Sequence, residues 1–260
     1  MITRKSKREL DLIRQASGVV AEALALCGRL ARPGITTAEL DKRVEELIEL
    51  QNCEPAFKGH GGSGRRPPFP ASICASVNDE VVHGIPGDRA LCEGDLLSVD
   101  VGARCQQYYG DGAATFAIGS VAPAARRLLV ACRRALELGI EAIGPGKRLS
   151  DLSRTIQGHV ESCGFSVVRD LVGHGIGSKL WEEPQVPNFV SSQFRDVVLR
   201  PGMVLAIEPM ITQGGWAVKT ARNRWTVVTA DGSLAAHFEH TVAITEDGVE
   251  ILTVPPAARG

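Results

Sequence analysis

The sequence lacks several features that would place it in a specialised class of protein. No uninterrupted apolar run is long enough to cross a membrane. The basic start is interrupted by Glu9, Asp11 and Arg14, so no signal-like apolar core follows it. The formal net charge is only −1, which gives no overall electrostatic attraction to nucleic acid or lipid. We therefore expect a cytoplasmic protein with no membrane partner and no specific nucleic-acid partner.

The cysteines show neither a zinc-knuckle pattern nor a disulfide framework. The sequence has 7 of them, and none belongs to a C-x-x-C pair. Because the number is odd and the chain is not small, a disulfide scaffold is not expected. We expect most of the cysteines to be buried apolar side chains. Cys74 is the one to watch, because it lies near the candidate site described below.

The two halves of the chain begin with similar pairs of helices. Apolar residues recur at helical spacing over residues 6–31, and Pro33-Gly34 ends that pattern. Thr36 and Glu39 then form a predicted capping box for a second helix. Residues 124–163 repeat the arrangement around Pro145-Gly146. Chance agreement is the alternative, but each pair precedes a strand-rich stretch, so we predict half-repeats at about residues 8–120 and 121–255.

Short segments bounded by Gly, Pro, Asn and Asp are predicted to be strands. They are residues 73–77, 96–101, 113–118, 165–168, 203–207, 225–229, 240–244 and 249–254. Helices and strands are segregated within each half instead of alternating. This arrangement favours an α+β fold with a curved, mainly antiparallel sheet backed by helices.

Potential ligands of divalent cations occur beside several of these segments: Asp100, Asp111, His174, Glu208 and Glu239. Taken singly, each has an ordinary explanation as a turn former or a surface charge. Together they form a hard-ligand set, and four crowded carboxylates would repel one another unless cations neutralised them. Such a set suits two ions about 3.5–4 Å apart, which activate a shared water and polarise a carbonyl. The pattern therefore predicts metal-assisted hydrolysis.

The sequence motifs around these residues resemble those of the type I methionine aminopeptidases. They are residues 76–86 (SVNDEVVHGIP), 94–102, 110–111, 173–177 (GHGIG), 201–210 and 238–241. The resemblance runs from about residue 8 to about residue 254. It implies the pita-bread fold, whose two pseudo-symmetric halves agree with the repeated helix pairs. It also implies a single catalytic domain over residues 1–260, with no separate N-terminal extension domain.

The resemblance implies a role for each ligand. Asp100 would bind one metal ion, and Asp111 and Glu239 would bridge both. His174 and Glu208 would bind the other ion, and Glu208 would also take a proton from the bridging water. The two ions are cobalt, manganese or iron in this family. Ligation rich in carboxylates agrees with manganese or ferrous iron.

The implied activity is removal of the initiator methionine from nascent proteins. A metal-bridging hydroxide would attack the first peptide bond, and a small second residue would be favoured. His83 would be catalytic, contacting the substrate near the scissile amide and stabilising the intermediate, although a structural role in its Gly/Pro turn is the alternative. An apolar pocket would hold the methionine side chain, although core packing is the alternative for its residues. By position, the substrate-binding residues are His83, Phe69, Cys74, Leu180, Trp181 and Trp225.

The implied partners are the N-termini of nascent polypeptides, and we expect the protein to be a monomer. The loop over residues 61–68 looks longer than is typical of the family. Its Arg65-Arg66 pair would suit a transient contact with ribosomal RNA. A solvated loop is the favoured interpretation of the same residues.

The sequence departs from the family pattern where a histidine is expected after the GHGIG motif. Trp181 stands there, and its indole has one N–H donor and a much larger ring than an imidazole. We hypothesise that Trp181 crowds the subsite beyond the methionine. His237 stands where glutamine is frequent, and it is either a hydrogen-bond partner of a metal ligand or a solvent-facing strand residue.

Two other functions remain open. One is a proline-specific peptidase of the same fold, although those enzymes usually carry an additional N-terminal domain and only about seventy residues precede the first motif here. The other is a non-catalytic binding protein, which Trp181 keeps in consideration although the whole ligand set is present.

Overall fold

The computed structural model describes residues 2–64 and 66–254. Within this part of the chain there are four helices and fifteen short or medium strands. The helices are α1 (Lys7–Leu30), α2 (Thr37–Leu50), α3 (Pro123–Glu141) and α4 (Leu149–Ser162). The strands are β1 (Glu54–Pro55), β2 (Ile73–Val77), β3 (Glu80–Val82), β4 (Leu96–Cys105), β5 (Tyr108–Ala117), β6 (Ser166–Val167), β7 (Gly173–Gly175), β8 (Glu182–Val186), β9 (Val204–Ile207), β10 (Met210–Thr212), β11 (Val218–Thr220), β12 (Val227–Thr229), β13 (Ala235–His237), β14 (Glu239–Ile244) and β15 (Val249–Ile251).

One large antiparallel sheet joins the two halves. Its order is β1-β4-β5-β14-β9-β7-β8, with β2 beside β4 and β15 beside β14. The contact between β5 and β14 connects the strands of the first half to those of the second. Two three-stranded sheets, β13-β10-β6 and β11-β12-β3, complete the described strands. The curled antiparallel sheet backed by helices confirms the predicted α+β class.

The helices begin where the sequence predicts. Ser6 and Thr36 are the N-caps of α1 and α2. In each case the carboxylate of the glutamate three residues further on accepts a hydrogen bond from the backbone N–H of the cap residue. In α4 the corresponding cap position is Arg148, whose backbone N–H donates to the Asp151 carboxylate at 3.0 Å. The second helix pair thus keeps the hydrogen bond from the cap backbone to an acidic side chain, although its cap residue is an arginine and not a threonine.

The apolar faces of the helices pack on the sheet in two large clusters. One contains buried residues of α1 and α2 with those of β2 and β4, and the other contains α3 and α4 with β9 and β14. The tight α1–β5 approach needs Gly110, because a Cβ there would lie 2.5 Å from the Ser17 backbone nitrogen. None of the helices in the described part of the chain is long and apolar enough to cross a membrane.

Most predicted strands are present, with changed ends. Strand β2 has the predicted bounds, whereas β4 extends to Cys105 and β5 starts at Tyr108. Their hairpin turns on Gln106 and Gln107, both with positive φ. The sequence prediction missed β1, β3, β7, β8, β10, β11 and β13, because strands of two to five residues carry little periodicity.

One prediction about the cysteines needs correction. Most of them are buried as expected, but Cys53 and Cys105 form a disulfide. Pairing of β1 with β4 places Glu54 opposite Arg104, which sets the two cysteines opposite each other one residue further on. They are 52 residues apart in sequence, so their spacing gives no sign of the bond.

Candidate metal centre and substrate cavity

Strand register brings three carboxylates to one face of the large sheet. Ala113 on β5 lies between Asp100 on β4 and Glu239 on β14 as their shared cross-strand neighbour. Asp111 precedes Ala113 by two residues, so its side chain projects from the same face of β5 as that of Ala113. The first half of the chain therefore supplies Asp100 and Asp111, and the second half supplies Glu239.

His174 and Glu208 reach the same face from the other side of β14. His174 on β7 pairs with Ala206 on β9, and Glu208 lies two residues after Ala206. The two glycines that flank His174 allow this close packing. A Cβ on Gly173 would lie 2.3 Å from the Ala206 oxygen, and one on Gly175 would lie 2.2 Å from the Glu183 oxygen. The glycine-rich motif thus lets β7 lie between β8 and β9.

These five residues, which we call the floor, converge at the base of a cavity of about 690 Å³. Ligand atoms of Asp111, His174 and Glu239 all lie within 4.8 Å of one another. The Nε2 atom of His174 is 3.8 Å from Asp111 Oδ2 and 3.7 Å from Glu208 Oε1. All five line the same cavity. The structure therefore brings together the whole predicted ligand set.

The carboxylates of the floor are strongly perturbed. Burial raises the pKa of Asp100 to about 7. Burial, reinforced by the neighbouring acids, raises the pKa values of Asp111, Glu208 and Glu239 well above their usual range. Buried oxygen atoms of Asp100 and Glu239 have no hydrogen-bond partner among the described residues. A cation between these oxygens would replace the lost hydration and favour the ionised forms.

His174 is held with one nitrogen free to bind a metal ion. Its Nδ1 is 2.9 Å from the carbonyl oxygen of Gly175, so Nδ1–H donates that hydrogen bond. Burial lowers the pKa of His174 to about 4, and the ring is neutral at pH 7. The lone pair of Nε2 therefore faces the carboxylates, which is the arrangement that a metal-ligating histidine needs.

His237 is a second imidazole beside the floor, and it is not solvent-facing. Only 1% of its surface is exposed. Its Nε2 lies 3.8 Å from Glu208 Oε2, and neither ring nitrogen has a hydrogen-bond partner in the described part of the structure. Burial lowers its pKa to about 3, so the ring is neutral. Of the two alternatives left by the sequence, the solvent-facing one is wrong, and a role beside Glu208 stays a prediction.

The wall of the cavity is apolar on one side. Phe69, Cys74 and Trp225 are buried and line it, and the rings of Phe69 and Trp225 meet edge to face at 5.1 Å. Leu180 does not line the cavity; it is 2% exposed and packs in the hydrophobic cluster behind these residues. Sequence reasoning missed Met210, which lines the cavity immediately after the Glu208-Pro209 pair.

His83 lines the cavity and has a left-handed backbone, φ +58°. The next residue must be glycine to pack against β2, because a Cβ on Gly84 would lie 2.3 Å from the Ala75 oxygen. Thr226 donates a hydrogen bond from Oγ1 to the His83 carbonyl at 3.2 Å. Burial, with a smaller effect of Arg66, lowers the pKa of His83 to about 4, so the ring is a neutral hydrogen-bond donor that lines the cavity.

The entrance of the cavity carries the departure noted in the sequence. Trp181 is 52% exposed and lines the cavity, and its ring meets that of His60 edge to face at 4.7 Å. We call these two residues the mouth pair. Sequence reasoning did not select His60, because a single histidine in a glycine-rich loop carries no periodic signal. Arg65 lies outside the described residues.

Comparison with known proteins places the chain in a family. The model of metallopeptidase family M24 matches residues 11–246, so the chain belongs to metallopeptidase family M24. It is 50% identical to a methionine aminopeptidase of Clostridium acetobutylicum, over 98% of this chain and 99% of that protein. It is 47% identical to methionine aminopeptidase 1 of Bacillus subtilis, over 97% of this chain and 99% of that protein.

Solved structures agree with this placement. The crystal structure of a methionine aminopeptidase from Thermotoga maritima superposes with a TM-score of 0.93 at 45% identity, covering 98% of this chain and 100% of that one. A prolidase from Pyrococcus furiosus shares the fold at a TM-score of 0.76 and 24% identity, and this chain covers 65% of it. The pita-bread fold expected from the motifs is therefore confirmed.

Proposed function

We propose that this protein is a metal-dependent hydrolase that removes the N-terminal methionine from nascent polypeptides. The observation that carries the proposal is the convergence of four carboxylates and one imidazole at the base of a cavity with an apolar wall. Relatives that match nearly the whole chain are named methionine aminopeptidases, which supports the same substrate. Nascent chains as substrates support a cytoplasmic location.

We propose that the floor holds two divalent cations. Its donors are carboxylate oxygens and one neutral imidazole nitrogen, and two of its oxygens have no hydrogen-bond partner among the described residues, which supports cation binding. Asp100 would hold one ion and Asp111 and Glu239 would be shared, while His174 and Glu208 would hold the other. Ions bound there would supply an activated water and polarise the carbonyl of the first peptide bond. Manganese, ferrous iron and cobalt suit this donor set.

The side chains around the floor have distinct tasks. Glu208 would accept the proton released when the water attacks, because its carboxylate lines the cavity and lies 3.7 Å from His174 Nε2 among the other floor residues. His83 would donate a hydrogen bond to the substrate near the scissile amide. His237, whose Nε2 lies 3.8 Å from Glu208 Oε2, would limit the positions open to the Glu208 carboxylate. Both halves of the chain contribute ligands, so we infer that they work as one catalytic domain.

The substrate would enter with its amino end at the floor. Its unbranched thioether would pack against Phe69, Cys74 and Trp225, where the apolar wall excludes charged side chains. The second residue would lie between the floor and the mouth pair, where a small side chain fits best. The rest of the polypeptide would leave through the entrance.

Release of free methionine from Met-Ala-Ser tests the proposal. The peptide is incubated with metal-stripped protein, alone and with manganese or cobalt. We expect release only with metal. Cleavage confined to peptides with proline at the second position would favour a proline-specific peptidase, and no cleavage with any of the metals would favour a binding protein. The Glu208→Gln variant is the control for contaminating peptidases.

A further inference from the structure

The ring of Trp181 in the mouth pair is exposed to solvent, but the backbone that carries it is held by neighbouring strands. Trp181 immediately precedes β8, whose first residue, Glu182, pairs with Gly175 beside the floor residue His174. The Glu182 carboxylate is buried against the Lys5 ammonium and also accepts a hydrogen bond from the Thr3 hydroxyl. The backbone that carries the indole is therefore fixed relative to the floor, while half of the ring remains open to solvent.

The opposite side of the entrance is fixed as well. His60 and Phe69 are neighbours in a backbone ladder, in which Phe69 N–H donates to the His60 oxygen at 2.9 Å and Gly59 N–H donates to the Phe69 oxygen at 2.8 Å. Phe69 belongs to the wall expected to hold the methionine side chain. His60 and Phe69 both line the cavity, and the ring of His60 meets that of Trp181 at 4.7 Å.

An extended peptide presents its first and third side chains on one side of its backbone. If the methionine packs against Phe69, the third side chain is directed at His60 and the indole of Trp181. A single exposed tryptophan is unremarkable, but one that lines a cavity and is braced by a second ring forms a preformed apolar surface. Such a surface favours large apolar or aromatic side chains over small polar ones.

We propose that His60 and Trp181 form a subsite that selects a large apolar or aromatic residue at the third position of the substrate. The inference depends on the proposed function, since it assigns substrate preference to the same cavity. The contact forms with the bound substrate and lies away from the reacting atoms. Its effect should therefore appear in KM and leave kcat nearly unchanged.

The test compares Met-Ala-Phe-Ser with Met-Ala-Ser-Ser at saturating manganese. We expect the protein to prefer the phenylalanine peptide by about tenfold in kcat/KM, through a lower KM. Trp181→Ala should reduce the preference to nearly one, and Trp181→Phe, which keeps a ring, should retain part of it. Trp216→Ala is the matched control, because Trp216 is 43% exposed but does not line the cavity. The Trp216→Ala substitution should leave kcat/KM for both peptides unchanged.

Equal kcat/KM for the two peptides would overturn the inference, as would an unchanged preference in a folded Trp181→Ala variant. If that variant does not fold, His60→Ala must reduce the preference for the inference to stand. These outcomes differ from failure of the proposed function, in which neither peptide releases methionine with any metal. Methionine release without selectivity at the third position would contradict the proposed subsite and leave the proposed function intact.

Discussion

At the floor of the cavity, strand register brings together the five residues predicted to be metal ligands. At the mouth, a tryptophan stands where the sequence resemblance leads one to expect a histidine, and the ring of His60 packs against it. The floor is buried and densely charged, so a change there leaves unpaired charge in a low-dielectric site. The mouth is half exposed, so a different side chain there costs little stability. Substrate range can therefore change at the entrance while the chemistry below stays intact.

A substitution at the floor tests the contrast between the floor and the mouth most directly. Glu208→Gln removes the expected proton acceptor and one negative ligand, so we expect kcat for Met-Ala-Ser to fall about 10³-fold at saturating manganese. The matched control is Asp41→Asn. Asp41 is a partly buried carboxylate with a raised pKa, but it accepts hydrogen bonds from the Ser72 and Ile73 backbone and lies outside the cavity. A Glu208→Gln variant with near-normal kcat would contradict the assigned role.

Removal of metal should make the floor the weak point of the fold. Asp100 has a pKa of about 7, and the pKa values of Asp111, Glu208 and Glu239 are also raised by burial. Below the ordinary histidine pKa of about 6.5, the buried neutral rings of His83, His174 and His237 offset the effect of these carboxyl groups, because the unfolded state protonates the histidines. Above about pH 6.5 only the raised carboxyl pKa values matter, and the folded state binds more protons than the unfolded state. Stability of the metal-free protein therefore falls as pH rises above about 6.5.

We accordingly expect the Tm of the metal-free protein to drop by several degrees between about pH 6.5 and about pH 8, and manganese to reverse the drop at the higher pH. Calorimetry with and without a chelator measures it. Glu208→Gln removes one of the titrating groups, so its metal-free Tm should depend less on pH. A metal-free Tm that stays flat or rises over this interval would exclude crowded, uncompensated carboxylates at the floor.

The same contrast explains what the sequence could predict. The residues of the floor can be predicted from the sequence because they lie in long motifs at the ends of apolar runs. Several acidic residues in buried segments have few explanations apart from metal binding. The register that makes Asp100 and Glu239 neighbours across Ala113 was not visible, since it depends on the pairing of β5 with β14. Leu180 shares a hydrophobic cluster with Phe69, Cys74 and Trp225 but does not line the cavity, and sequence position does not distinguish a lining residue from its neighbours in the core.

The disulfide and the contact between His60 and Trp181 cannot be predicted from the sequence, for a related reason. Cys53 and Cys105 meet only through pairing of a two-residue strand with β4, and so short a strand has no periodicity. His60 lies in an irregular loop, and its contact with Trp181 joins segments that are distant in sequence. Helix positions, in contrast, follow from local capping and apolar spacing. They were therefore predicted to within a residue or two.

The smallest expected effect comes from restoring the family residue at the mouth. Trp181→His replaces a bulky indole by an imidazole that can donate a hydrogen bond to the substrate carbonyl. We expect kcat/KM for a Met-Ala dipeptide to rise about tenfold, the worth of one well-placed hydrogen bond. Steady-state kinetics measures this, with Trp216→His as the control for replacing an exposed tryptophan. Equal or lower kcat/KM would show that Trp181 does not crowd the second residue. The entrance would then act only on residues further along the chain, because an obstacle next to the scissile bond must affect even the shortest substrate.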